Sequence, residues 1–251
     1  MNIHRPSLAR RDKPACISKL YDFSKSRSLE DWIYTSGTHE INDNGVQMKL
    51  MKPEGVKREY MVEDKEKLPI NSVASEGFTF NHTGTMLYGK FSTVVKSAPA
   101  PGAITAVILY AENGDEIDFE FLAGKKDQVT SNYFYGPNIV YGVNGQTTDC
   151  AEGNAYDDFH RYTIEWTKDK IVWSIDNKVV RTTYKNKTEL DPKHGNVHQY
   201  PTHPAHISIG LWDGSSVGGT AQWAQGPIDW EKYPHGTSAY IKSVEIECST
   251  E

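Results

Sequence analysis

Asp115-Glu116-Ile117-Asp118-Phe119-Glu120-Phe121-Leu122 alternates acidic and apolar side chains from Glu116 onward. A β-strand sends successive side chains to opposite faces, so this period-two pattern predicts a strand over residues 116–122. Glu116, Asp118 and Glu120 then share one face, and Ile117, Phe119 and Phe121 share the other. The apolar set needs a second layer to cover it. The acidic set repels itself and brings no folding advantage. A strand that merely met solvent would mix Thr, Lys and Ser with its acids. Three carboxylates in a row therefore point to chemistry, with an acidic edge or a calcium site as the structural alternatives.

The flanking sequence repeats the strand pattern. Residues 84–96 read as one long strand, 98–103 as a Pro-rich loop and 104–110 as a buried, nearly all-apolar strand. Asn113-Gly114 marks a tight turn, and residues 128–135 form the strand after the acids. Residues 162–166 and 171–175 alternate around a short connector, and Asp176-Asn177 turns into 178–181, which together predict an antiparallel meander. Residues 207–212 and 239–247 complete the set. Trp166 and Trp173 fall on the apolar side of this pattern and are expected in the core. No helical periodicity runs beyond a few turns, and no internal repeat is present. Residues 1–15, with three Arg, one Lys and two Pro, are expected as a loose lead-in. Residues 16–251 are expected as a single domain, an antiparallel two-sheet sandwich of the jelly-roll kind.

Composition narrows the partners. The chain of 251 residues is long enough for a substantial core. Its net charge of −6 and pI of about 5.9 argue against nucleic acid, which leaves a basic stripe. The 14 Tyr, 8 Phe and 6 Trp suit strands, and any exposed ones offer flat faces to sugar rings. No run of 18 apolar residues predicts a transmembrane helix. The opening MNIHRPSLARRDKP lacks the apolar stretch of a signal peptide. Sequons at Asn81 and Asn186 are compatible with secretion. A bridge between Cys16 and Cys248 would staple the ends and leave Cys150 free, but the sequence does not choose among the three pairings or a fully reduced state. Nine His show no metal-ligand spacing, so no metal or other cofactor is expected.

The acid spacing fits a specific reaction. Residues i and i+4 of a strand have Cα atoms about 13 Å apart, four rises of ~3.3 Å. Two Glu side chains leaning together close much of that gap. Retaining glycosidases place their carboxyls ~5–5.5 Å apart and inverting ones ~6.5–9.5 Å. Asp118 between them would hold a neighbour's pKa up and orient the nucleophile.

Glu116-Ile117-Asp118-Phe119-Glu120-Phe121-Leu122 resembles the signature of glycoside hydrolase family 16, whose members are concave β-jelly rolls. The resemblance implies Glu116 as nucleophile, Asp118 as assisting carboxylate and Glu120 as general acid/base. The unbulged E-x-D-x-E spacing is similar to the lichenase, plant xyloglucan transglycosylase and fungal Crh-type branches, and unlike the laminarinase branch. Residues 207–214, 219–226 and 228–230 look like the Crh-type branch, with Ala224-Gln225-Gly226 where Ala-Gly-Gly is usual. This implies a polysaccharide donor, with chitin first, a glucan or chitin acceptor, a monomer, and an extracellular or wall location, although no signal or anchor tail is visible. It also implies that Thr130, Asn132 and Phe134 line the site, Asn132 as a hydroxyl-binding amide and Phe134 as a sugar platform. Trp212 and Trp223, in Gly-rich loop-edge segments, are expected to stack on sugars. A xyloglucan or β-glucan endotransglycosylase is the alternative enzyme, and a non-catalytic lectin-like jelly roll the alternative of another class.

Overall fold

The computed structural model describes residues 16–125, 127–150 and 153–250, so the expected lead-in at 1–15 lies outside the described residues. The strands in chain order are β1 (Lys19–Asp22), β2 (Trp32–Tyr34), β3 (His39–Asn42), β4 (Gly45–Leu50), β5 (Arg58–Glu63), β6 (Glu66–Asn71), β7 (Phe78–Met86), β8 (Gly89–Lys96), β9 (Ala103–Ala111) and β10 (Glu116–Leu122). They continue as β11 (Gln128–Phe134), β12 (Gln146–Asp149), β13 (His160–Trp166), β14 (Lys170–Ile175), β15 (Lys178–Tyr184), β16 (Leu190–Asp191), β17 (Val197–His198), β18 (Ala205–Asp213) and β19 (Thr237–Cys248). One α-helix, α1 (Gly218–Trp223), is found among the described residues.

Two large antiparallel sheets are stacked. Sheet I runs β15-β14-β13-β8-β19-β4-β3, with β1 also on β19. Sheet II runs β12-β11-β10-β9-β18-β7-β2 and holds the acidic strand near its middle. The inner faces supply the core. Ile117, Phe119 and Phe121 of β10 are each 1% exposed, and both Phe rings meet Tyr162 of β13 edge-on at 5.4 and 4.6 Å. Trp166 and Trp173 are buried as expected. Burying a Phe side chain contributes roughly 1.5–3 kcal/mol, so the odd-numbered face of β10 holds the layers together.

The expected long strand over residues 84–96 is two strands in two different sheets. Leu87-Tyr88 breaks it, β7 staying in sheet II and β8 entering sheet I. The crossing needs left-handed backbone, with φ of 63° at Tyr88 and 128° at Gly89. A Cβ on Gly89 would sit 2.4 Å from the Glu247 carbonyl oxygen, so only glycine fits. No Pro, Asn or Asp marks a turn at the break, which is why the run read as one element.

A disulfide joins Cys16 to Cys248 and ties the start of β1 to the end of β19. This settles the pairing left open by the sequence. Cys150 is a free thiol, which burial pushes up to about 11.

Candidate active site

The ladder of sheet II fixes which side chains share its outer face. Across β11-β10-β9-β18, Glu116 lies in register with Phe134, Tyr110 and, through Tyr110, His206. Asp118 lies with Asn132, Ile108 and Ser208, and Glu120 with Thr130, Ala106 and Gly210. One step further, Leu122 lines up with Ile104 and Trp212. In-register residues point the same way. The three acids, Thr130, Asn132, Phe134 and Trp212 therefore occupy one face, as the sequence pattern implies.

The electrostatics of the three acids are unequal. Asp118 is 0% exposed, and neither of its carboxyl oxygens has a well-aligned hydrogen-bond partner. Burial first, then the neighbouring charges of Glu120 and Glu116, hold its pKa well above the carboxylate range. Arg181 and, weakly, the Asn132 backbone N–H oppose the rise. Glu120 keeps part of its surface accessible, yet the protein packed round its carboxyl, and then the charge of Glu116, push it up to about 8. Carboxylates this close cannot all ionise cheaply. Asp118 and Glu120 are thus biased toward their protonated forms at neutral pH, and a carboxyl that holds its proton is what general-acid chemistry needs.

The surroundings divide by end. At the Glu116 end, half-buried Phe134 meets Tyr141 edge-on at 5.5 Å. Tyr141 belongs to the loop between β11 and β12, where Ile139, Val140 and Val143 are also exposed. Asp115, which the sequence reading quoted without a role, anchors this end. Its buried carboxylate accepts the N–H of Gly136 at 2.8 Å, Thr202 at 2.9 Å and His203 at 3.2 Å, and faces His203 Nδ1 at 2.8 Å.

At the Glu120 end, a small apolar cluster of Ile104, Leu122 and Ala224 sits on the outer face, apart from the main core. Trp212 and Trp223 pack on it and stack on each other at 6.4 Å with 23° between planes. Trp223 is on the helix α1, not in the loop the sequence suggested. Gly218 and Gly219 at the start of that turn concealed it, since glycine is a poor helix former. Both indoles remain partly exposed. Asn132 is 9% exposed, and its Oδ1 accepts the Tyr133 backbone N–H at 2.9 Å, leaving its amide NH2 as the group free to face a ligand.

Two residues behind the strand escaped the sequence reading. Trp173, expected only as core, donates its indole N–H to the Asp118 carbonyl at 3.1 Å. Arg181 stacks over the Trp173 ring at 4.4 Å and reaches β11. Neither contact has a local signature, since β14 and β15 belong to the opposite sheet. Among the described residues no group of three or more His, Cys, Asp or Glu is arranged to hold a metal ion.

Comparison with known proteins gives the family and the fold relatives of the chain. The family model described as glycosyl hydrolases family 16 matches residues 28–232. Crh-like protein 5 of Aspergillus fumigatus is 31% identical over 230 residues, covering 90% of this chain and 50% of that protein. Congo red hypersensitive protein 2 of Saccharomyces cerevisiae is 31% identical over 247 residues, 95% of this chain and 47% of that protein. The chain spans about half the length of these curated relatives. Among solved structures, the apo Crh5 transglycosylase superposes with a TM-score of 0.75 at 29% identity, covering 94% of this chain and 86% of that one. The Crh5 transglycosylase in complex with NAG superposes equally well. The β-glucanase of Bacillus licheniformis, at TM-score 0.67 and 17% identity, shares the jelly-roll fold. The sandwich, the acid-bearing strand and the match across most of its length together establish that the chain belongs to glycosyl hydrolases family 16.

Proposed function

We propose that residues 16–251 act as one catalytic domain, a retaining transglycosylase that cleaves a β-linked polysaccharide, chitin first, and passes the glycosyl group to a glucan or chitin acceptor. The observation that carries this is the unbroken Glu116/Asp118/Glu120 row, with Glu120 holding its proton through burial and the charge of Glu116. Glu116 attacks the anomeric carbon while Glu120 gives its proton to the departing oxygen, so the glycosidic bond breaks and a glycosyl ester forms on Glu116. Glu120, now a carboxylate, takes the proton from an incoming sugar hydroxyl, which displaces Glu116 and restores the original configuration. Protonated Asp118 lies between the two and can donate a hydrogen bond that orients Glu116.

The similarity to a transglycosylase solved with NAG supports the donor class. Asn132 and Phe134 are assigned to the sugar beside Glu116, and Trp212 with Trp223 to the acceptor beside Glu120. A wall-facing, monomeric enzyme is part of the same reading. Among the described residues no helix is long and apolar enough to cross a membrane.

The test is label transfer. Fluorescent chito-, xyloglucan- and laminari-oligosaccharides are incubated as acceptors with several polysaccharides as donors. Transfer from chitin supports the proposal. Transfer from xyloglucan or mixed-linkage glucan alone moves the donor to the alternative enzyme. Binding without any bond cleavage makes the protein a lectin and ends the catalytic reading.

A further inference from the structure

The sheet ladder puts the three acids on the outer face, and a half-buried cation reaches the same strands from the inner face. Arg181 lies on β15, the edge strand of sheet I. Its Nη1 donates to the Ser131 carbonyl at 2.7 Å and to Ser131 Oγ at 3.1 Å. Its Nη2 donates to the Asn144 carbonyl at 2.7 Å, in the loop that carries Tyr141. Ser131 lies in register with Phe119, so it faces the core and not the acids. The guanidinium is therefore behind the sheet. It also lies over Trp173, 4.4 Å from the ring centroid, and that indole donates its N–H to the Asp118 carbonyl.

We propose that Arg181 is a positioning residue for the three acids, clamping β11 and the loop after it and setting a positive charge behind Asp118. Its planar fork serves three acceptors on two elements at once, which a lysine ammonium cannot reproduce. The charge acts through the strand. Each feels the other, since Arg181 lowers the pKa of Asp118 and Asp118 raises that of Arg181 against its burial. Glu116 and Glu120 face Asp118 from its own strand, Tyr110 of β9 and His206 of β18 occupy the row of Glu116, and Tyr133 of β11 lies 5.8 Å from the guanidinium. Arg181 is the cation whose charge opposes the mutual repulsion of the acids at Asp118. Taking it away makes every negative charge in the row more costly. The ionisation that frees the nucleophile then moves to higher pH.

The test is the pH profile of kcat/KM for the wild type, R181M and R181K, with thermal unfolding as the control for fold. R181M is expected to fold and to move the acid limb up by roughly half a pH unit, less than a contact ion pair gives because the charge acts through the sheet. R181K is expected to keep the limb and lose kcat, since charge remains but the fork is gone. A folded R181M whose profile overlays that of the wild type overturns the proposal. Should R181M not fold, R181K decides: lowered kcat with an unmoved limb supports the proposal, and wild-type kcat overturns it. The inference rests on the catalytic reading of the acids. A wild type with no activity at any pH defeats that reading, whereas an active wild type with insensitive variants defeats only this one.

Discussion

The two faces of β10 are built from seven consecutive residues and do opposite work. The inner face of Ile117, Phe119 and Phe121 removes apolar surface from water and joins the sheets. The outer face of Glu116, Asp118 and Glu120 places three acids in adjacent positions and raises the pKa of the two that follow Glu116. Ordinary core packing on one side thus holds a strained charge arrangement on the other. One face contributes stability, and the other costs it in exchange for reactivity, a division typical of sites with perturbed carboxyls.

The largest effects should separate the faces. Glu116→Gln is expected to lower turnover by about 10³-fold or more with the fold intact. Phe119→Ala is expected to lose about 3–5 kcal/mol of stability by leaving a cavity, a fall in Tm of roughly 6–20 °C. Its folded fraction should keep measurable activity. Paired assays and melting curves check this, and a Glu116→Gln variant that melts like Phe119→Ala would break the comparison.

The next effect is on pH. Glu120 must carry its proton to act as acid, so the rate should fall as pH rises through about 8. Glu120→Gln should be slow and lose that alkaline limb. Wild-type activity that stays level from about pH 6 to about pH 10, in a chemistry-limited assay, contradicts the assignment.

A smaller effect concerns stability itself. The folded-state pKa of Asp118 lies above its unfolded value, so between the two the folded protein binds more protons. Stability from this group is therefore highest at low pH and declines as pH rises above about 4. Asp118→Asn should accordingly raise Tm at pH 7, by about 2–4 °C for each kcal/mol regained. The gain should vanish near pH 4. An equal shift at both pH values would mean that the substitution acts by packing.

The smallest effect tests the two ends of the outer face. Trp223→Ala should lower the transfer-to-hydrolysis ratio by a few-fold and raise the apparent KM for acceptor, the outcome that the proposed acceptor role of this indole requires. Donor cleavage should change less. Labelled-acceptor product analysis decides it, and an equal fall in transfer and hydrolysis removes Trp223 from the acceptor side.

How much of this was legible follows from where the information lies. Strand β10 and its faces were readable because alternation is local and the acids are an unusual use of it. The meander of β13 to β15 was readable for the same reason. The hairpin β5–β6 was not: its turn at Asp64-Lys65 takes φ of 46° and 71° without glycine, so no turn signal is present. Strands β1 to β3 have three or four residues each, too few to show a period. That the acids, Asn132 and Phe134 share one face was readable because strand alternation is local, and register across β10 and β11 brings them together. Arg181 and Asp115 were missed because their hydrogen bonds join residues 21 to 88 positions apart, which no local pattern reveals. The pairing of Cys16 with Cys248 likewise depends on β1 lying against β19, which only the fold decides.

The central claim is that Glu116 forms the covalent bond, and chemical rescue tests it most directly. Glu116→Gly is incubated with an activated chito-oligosaccharide donor in the presence and absence of azide, and the product is assigned by NMR. The account predicts an almost inactive variant, restored by azide, that yields a glycosyl azide of inverted anomeric configuration. The small anion fills the space left by the missing carboxylate and attacks from the same side. No rescue, or a glycosyl azide of retained configuration, would contradict the account.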